Sequence, residues 1–351
     1  MTSILIQALS GLGMFLFGML YMEMALKKSV GMRFKTWVKN STSTTLKSLI
    51  TGMIATTLLQ SSSVITLMTL SFVSASMITL HSGIAVIFGA NVGTTATSWI
   101  VATFGFKVNI ESFTLPMIGA GGLLLIFANE NRRLTTIANV LIGFGLLFLG
   151  LEYMNTSIAP VTTMVDLSEF SNFPLLAFLG IGFVLTAIIQ SSSAATAIVL
   201  SALYVNVISF EQAAAMVIGT NIGTTVTALL GALGGVPDKK RVAAAHFIFN
   251  FITAAAAFLL LPFLVEFLMS FKGLRNDPII SLALFHTIFN LLGVLLLIPF
   301  ISLMAKYLKK LFLYDEPVAT RYIHLVDPHY SEAAFIALRD EVNRMYLKTM
   351  K

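Results

Sequence analysis

From Ser48 to Phe106 the chain carries no Lys, Arg, Asp or Glu, a bare run of 59 residues. One membrane-spanning helix needs about 20 apolar residues, so this run must enter or cross a bilayer more than once. Phe170–Phe210 and Gln212–Pro237 are equally bare. Only 11% of the 351 residues are charged and 57% are hydrophobic, against about 25% charged in a soluble domain. The chain cannot cover itself with water, which excludes a soluble enzyme and a nucleic-acid binder despite the net charge of +6. With no cysteine there is no disulfide, thiolate metal site or cysteine nucleophile, and none of the five histidines lies in an HExxH pair.

The segments expected in the bilayer are 4–26, 48–80, 83–104, 113–128, 134–154, 174–208, 212–234, 242–268 and 279–305. Two of them, 48–80 and 174–208, are too long for one span, and each is broken near its middle by a polar cluster. Ser48–Leu59 is 12 residues, about 18 Å of helix, which reaches the midplane of a ~30 Å core and stops. A re-entrant hairpin with a polar tip fits this length. With both long segments re-entrant, 14 Lys and Arg fall in inner loops and three (Lys107, Lys272 and Arg275) in outer loops; full crossing gives 13 to 4. The positive-inside rule leans towards hairpins. The first span, with apolar residues from Ile4 and cations after it, reads as retained with its N-terminus outside. The charged tail from Tyr314 is expected to be cytoplasmic, with Ser331 capping a helix over 332–346 whose apolar face is Ala334, Leu338 and Met345.

Self-comparison exposes an internal repeat. At an offset of 130, residues 52–71 match 182–201 at 9 of 20 positions, and 88–97 match 218–227 at 6 of 10. Gly11, Gly13, Gly18, Tyr21 and Met22 recur as Gly143, Gly145, Gly150, Tyr153 and Met154 at an offset of 132. Each copy holds one QSSS and one N-x-GTT. With hairpins, each copy has an odd number of full crossings, so the copies would be inverted; with full crossings they would be parallel. The expected fold is an all-α polytopic membrane protein with two inverted-topology repeats, re-entrant helical hairpins and unwound helices. Its parts are repeat 1 over 1–130, repeat 2 with the C-terminal spans over 131–310, and a tail over 311–351.

The duplicated clusters carry the chemistry. Gln60-Ser61-Ser62-Ser63 and Gln190-Ser191-Ser192-Ser193 each end one half-helix and open the next. A helix start with serine hydroxyls and free N–H donors is an anion site. In Asn91-Val92-Gly93-Thr94-Thr95 and Asn221-Ile222-Gly223-Thr224-Thr225, glycine is expected to unwind the helix, and the amide, hydroxyls and freed carbonyls are hard oxygen ligands for a small cation. A single SSS or GTT most often serves helix packing; two copies in the same order in both halves favour a site. The HxxFN pairs His246/Asn250 and His286/Asn290 read as structural, and Glu23, Glu152 and Glu266 as interfacial. Phe15, Phe17, Phe144 and Phe148 read as packing or lipid-facing. A serine hydrolase, the rival class, lacks the GxSxG elbow, so no enzyme activity is expected.

These residues, with GANVGTT, GTNIGTT and AAAHFIFN (Ala243–Asn250), closely resemble the type II sodium–phosphate cotransporters over roughly residues 5–305. The tail resembles the lead-in to a PhoU-like domain. The resemblance implies a Na⁺-coupled carrier of inorganic phosphate working by elevator-like alternating access. Ser61–Ser63 and Ser191–Ser193 would face phosphate. Gln60, Gln190, Asn91, Thr94, Thr95, Asn221, Thr224 and Thr225 would share Na⁺ and anion contacts. No cofactor is implied beyond Na⁺ as coupling ion. The partners expected are phosphate, Na⁺, the lipid bilayer and, as a candidate, a second copy in a homodimer, with no nucleic acid. The expected location is the plasma membrane, the inner membrane of a bacterium. A phosphate-sensing scaffold and a carrier of another oxyanion are the alternatives left open.

Overall fold

The computed structural model describes residues 2–107, 111–128, 131–158, 173–313, 322–323, 326 and 330–349. Every regular element among them is helical. The helices are α1 (Thr2–Ser29), α2 (Met32–Asn40), α3 (Thr45–Leu59), α4 (Ser62–Ser74), α5 (Leu80–Lys107), α6 (Glu111–Phe127), α7 (Arg132–Ile158), α8 (Leu175–Ile189), α9 (Ser192–Tyr204), α10 (Phe210–Gly223), α11 (Thr225–Ala232), α12 (Pro237–Leu259), α13 (Leu261–Ser270), α14 (Lys272–Arg275), α15 (Pro278–Leu297), α16 (Ile301–Leu311) and α17 (Ser331–Thr349). Among the described residues, six helical stretches are long and apolar enough to cross a membrane. Helix is the form that satisfies backbone groups inside one segment where water is absent. The protein is an all-α polytopic membrane protein.

The two overlong segments form four short helices rather than two spans. With 15 and 13 residues, α3 and α4 are about 22 and 20 Å long, both short of a ~30 Å core. Their course is fixed by contacts with α5. Thr45 Oγ1 lies 2.8 Å from His81 Nε2 at the start of both helices, and Gln60 Oε1 accepts from Thr97 Oγ1 at 2.7 Å at the other end. Helices α3 and α5 are therefore parallel. Helix α4 returns, bringing Val73 and Thr69 back against Gly83. Helices α8 and α9 repeat this against α10, with Leu179 and Phe183 beside Gly219 and Gly223 and Thr196 Oγ1 3.3 Å from Thr220 Oγ1.

What draws the parallel helices so close is glycine. A Cβ at Gly52 would overlap Val86 O and one at Gly89 would overlap Leu49 O; the equivalents Gly182 and Gly219 would overlap Met216 O and Leu179 O. Gly89/Gly93 and Gly219/Gly223 are thus GxxxG contacts. The expected unwinding at Gly93 does not occur: α5 is continuous through Asn91–Thr95. There a Cβ would sit 2.5 Å from Met53 O, so this glycine is spent on close packing. At the second copy the helix is interrupted only at Thr224, which keeps helical dihedrals (φ −62°, ψ −24°).

The backbone also repeats where it is special. Gln60 and Gln190 have φ of 52° and 58°, and Ser76 and Asn206 both have φ of 57°. Each pair is 130 residues apart. Left-handed backbone is unusual away from glycine; here it ends each first arm at the tip and each second arm at the base.

Outside the hairpins, α1 and α7 pack antiparallel and reciprocally. A Cβ at Gly11 would lie 2.9 Å from Gly150 O and one at Gly150 would lie 2.6 Å from Gly11 O. Gly18 and Gly143 meet in the same way at 2.7 and 2.8 Å. Buried apolar residues form two large cores, one around α3–α5 and one around α8–α10, with α12 and α15 contributing to both. Of the four phenylalanines singled out, Phe15 and Phe148 are buried and Phe17 is exposed. A 3₁₀ turn at Ile298–Phe300, holding Pro299, divides the last apolar stretch, Pro278–Leu311, into α15 and α16.

Helix α17 docks at the base of the first hairpin, where Ala333 and Ala337 pack with Ala75 and Val326. Lys35 Nζ stacks 4.5 Å over the Tyr330 ring. The expected face is off by one residue: Ala333, Ile336, Ala337 and Glu341 are buried, while Leu338 and Met345 are exposed. The first helical bond is accepted by Tyr330 O from Ala334 N at 2.9 Å, so Ser331 is the first helical residue rather than the cap.

Candidate substrate site between two hairpin tips

Each tip is built by the same three residue types. Gln60 ends α3 in the left-handed conformation, and its side chain covers a carbonyl that helix termination leaves bare, donating from Nε2 to Thr57 O at 2.6 Å. Ser61 then caps α4, its Oγ accepting from Val64 N at 3.5 Å. In the second copy Gln190 ends α8, and Ser191 Oγ accepts from Ala194 N at 3.3 Å. Every tip therefore places a helix C-terminus beside a helix N-terminus. The first end attracts cations and the second anions.

Thr97 joins the two tips. Its Oγ1 hydrogen-bonds Gln60 Oε1 at 2.7 Å and Ser193 Oγ at 3.2 Å. The first hairpin has its base at the Leu80 end of α5. The second has its base at the other end, where the Tyr204 ring lies 4.6 Å from that of Phe106. The hairpins thus approach Thr97 from opposite ends of α5.

Around this junction the hydroxyls divide by what they can still do. Thr94 and Thr95 donate to Asn91 O and Val92 O at 2.6 and 2.8 Å, and Thr224 and Thr225 donate to Asn221 O and Ile222 O at 2.6 and 2.7 Å. A hydroxyl that has spent its proton keeps lone pairs, so these four can ligate a cation but cannot donate to an anion. Among the described residues Ser62, Ser63 and Ser192 form no hydrogen bond through their hydroxyls, so these three keep a proton to donate, while Ser193 shares its hydrogen bond with Thr97. The backbone N–H groups of α4 and α9 beside them are the free donors of a helix start. Thr56 and Thr186, equivalent in the repeat, are buried with hydroxyls that have no partner.

The expected site residues are not all alike in position. Ser61 does not face open space: its hydroxyl donates to Glu23 Oε1, and both residues are buried. Ser191 meets Met19 Sδ at 4.0 Å instead. Gln190 is exposed at its tip. Asn91 turns to its own helix, donating to Ile87 O at 2.9 Å. Asn221 reaches across, donating to Asn290 Oδ1 at 2.8 Å and lying 3.3 Å from His286 Nε2, while His286 Nδ1 lies 2.7 Å from Ser98 Oγ. His286 and Asn290, read from sequence as a self-contained pair, thus tie the second N-x-GTT to α5 beside Thr97.

Glu23, Thr97, Ser98, Thr56 and Thr186 were missed. Glu23 reads as interfacial because it lies near the end of the first span; it does form an ion pair with Lys27 at 2.8 Å, but the carboxylate is buried against the tip. The threonines had a signal: Thr56/Thr186 and Thr97/Thr227 are identical columns of the repeat alignment just outside the conspicuous motifs. A separate polar cavity of about 930 Å³ opens at the base of the first hairpin, lined by Lys39, Thr45, His81, Arg241 and Lys309. It is a helix length away from the tips.

Against known families, the Na⁺/Pi-cotransporter model matches residues 14–156 and 162–297. The chain belongs to the Na⁺/Pi-cotransporter family. The uncharacterized protein YqeW of Bacillus subtilis is 33% identical over 261 residues, 74% of this chain and 82% of that protein. YjbB of Escherichia coli, named for inorganic phosphate export, is 28% identical over 318 residues, 89% of this chain and 56% of its own length. The human sodium-dependent phosphate transport protein 2B is 29% identical over 198 residues, 51% of this chain and 27% of that protein. The chain therefore spans about half of YjbB and a quarter of protein 2B. No solved structure matches it significantly.

Proposed function

We propose that this protein carries inorganic phosphate across the membrane with Na⁺ as the coupling ion, by elevator-like alternating access. The observation that supports this most is the meeting of the two tips at Thr97. It gathers Ser62, Ser63, Ser192 and Ser193 and two helix N-termini around one point, with no arginine or lysine among the donors. Phosphate at neutral pH carries one to two negative charges. Dipoles and hydroxyls alone offset little of that at membrane depth, where ions are costly. Cations held beside the anion would complete the neutralisation. The hydroxyls of Thr56 and Thr186 and the carbonyls ending α3 and α8 are the hard oxygens that would hold Na⁺, with Thr94, Thr95, Thr224 and Thr225 as further lone-pair donors. A fully loaded site is then nearly neutral and can reorient, while a partly loaded one is penalised.

The antiparallel, reciprocal α1–α7 contact and the opposed hairpins support inverted-topology repeats, 1–130 and 131–310. The concentration of Lys and Arg in the loops at one end supports an orientation with the N-terminus outside and the tail in the cytoplasm. In the test, thermal unfolding of the detergent-purified protein is followed with phosphate added in Na⁺ or in K⁺. Phosphate raises Tm in Na⁺ only, and Ser63→Ala/Ser193→Ala removes the rise. An equal rise in K⁺ would refute Na⁺ coupling, and an equal rise with sulfate would favour another oxyanion.

A further inference from the structure

The two copies carry the same tip residues but do not make the same bonds. In the first, the tip is tied twice: Gln60 to Thr97 on α5, and Ser61 to Glu23 on α1. The repeat offsets of 130 and 132 make Thr227 the counterpart of Thr97 and Asn155 the counterpart of Glu23. Neither tie exists in the second copy. Gln190 is exposed, and the Ser191 hydroxyl, which caps α9, donates only toward a methionine sulfur. The two counterparts are both left with orphaned oxygens: Thr227 Oγ1 and Asn155 Oδ1 are shut off from solvent without a hydrogen-bond partner. Buried oxygens of this kind are rare and call for a reason. Helix α7, which carries Asn155, packs against α9 of the second hairpin, so the partner element is in place.

We propose that the second tip has a docked position that mirrors the first, in which Thr227 donates to Gln190 Oε1 and Ser191 donates to Asn155 Oδ1. The structure holds tip 1 docked and tip 2 released. The alternate state exchanges them, and the contact of Thr97 with Ser193 gives way to one of Thr227 with Ser63. Thr97, Glu23, Thr227 and Asn155 are then positioning residues that set which tip is closed. The inference rests on the repeat and its bonding, not on the identity of the cargo. If phosphate transport failed, the exchange of tips would still be testable.

The protein has no cysteine, so a single introduced thiol reports one place. Ser62→Cys on tip 1 is labelled with a water-soluble thiol reagent in three backgrounds, Thr97→Val, Thr227→Val and Asn155→Leu, each a near-isosteric loss of one polar group. One hydrogen bond contributes about 0.5–1.5 kcal/mol, or roughly 2- to 12-fold in the balance of states. Thr97→Val accelerates labelling by that factor, because it releases tip 1. Thr227→Val and Asn155→Leu slow it by a similar factor, because they weaken the alternate state in which tip 1 is free. A merely structural threonine without a partner would leave the rate unchanged when removed, or raise it by loosening the site. Either result in both second-copy variants, with melting temperatures intact, overturns the proposal.

Discussion

Removing the carboxylate of Glu23 tests how firmly the first tip is held. Ser61 donates to a charged acceptor in a place where both residues are buried, and a hydrogen bond to a charged group contributes about 1.5–3 kcal/mol. The other partner adds less, because the Lys27 side chain is 42% exposed, and solvent-exposed ion pairs contribute about 0–1 kcal/mol. Glu23→Ala therefore shifts the docked-to-released balance of tip 1 by roughly 10- to 150-fold. Glu23→Gln keeps an acceptor without the charge, so it retains about 0.5–1.5 kcal/mol of the tie and gives an intermediate shift. Lys27→Ala gives about fivefold or less. The assay is the labelling rate of a cysteine at Ser62 in the otherwise cysteine-free chain, measured at reagent concentrations where opening limits nothing but the reactive fraction. The predicted order is Glu23→Ala, then Glu23→Gln, then Lys27→Ala. A larger effect from Lys27→Ala than from Glu23→Ala would refute the reasoning, since the carboxylate would then serve the lysine and not the tip.

Three further outcomes follow from the packing and the site. Gly89→Ala places a methyl group on Leu49 O, whereas Gly13→Ala meets nothing within 4 Å; the first costs about 3 kcal/mol or more by overpacking and lowers Tm by several degrees, while the second leaves Tm unchanged. Thr56→Val and Thr186→Val raise the Na⁺ concentration needed for half-maximal phosphate binding several-fold, with affinity at saturating Na⁺ nearly unchanged, as read by isothermal titration. Ser98→Ala strands a buried ring nitrogen of His286 and costs about 1–3 kcal/mol, visible as a lower Tm that Ser98→Thr restores.

The hairpins were legible from length: 12 uncharged residues before a polar cluster cannot span a bilayer whatever surrounds them. The repeat was legible because identical residues recur at a fixed offset. Gly93 and Gly223 were misread for a physical reason. Glycine both frees a backbone and removes a Cβ, and the sequence does not say which property is in use until Met53 and Phe183 are found lying against them. Glu23 reads as interfacial from its place near a span end, but the direction of a side chain there depends on the neighbour it meets, here Ser61. The tail helix was found, but its face was off by one residue: small alanines, which carry little hydrophobic signal, are what Ala75 requires. Thr97 stood in plain view as a sixth identical column, and only its reach to both tips gives it meaning.

The central claim is that the junction at Thr97 carries phosphate with Na⁺, and flux tests it most directly. The full chain is reconstituted into proteoliposomes, and entry of radiolabelled phosphate is followed with an inward Na⁺ gradient or with K⁺ in its place. The account predicts uptake that requires Na⁺ and is lost in Ser63→Ala/Ser193→Ala, with the variant still folded. Uptake that is equal in K⁺, or that survives loss of both serines, would contradict it.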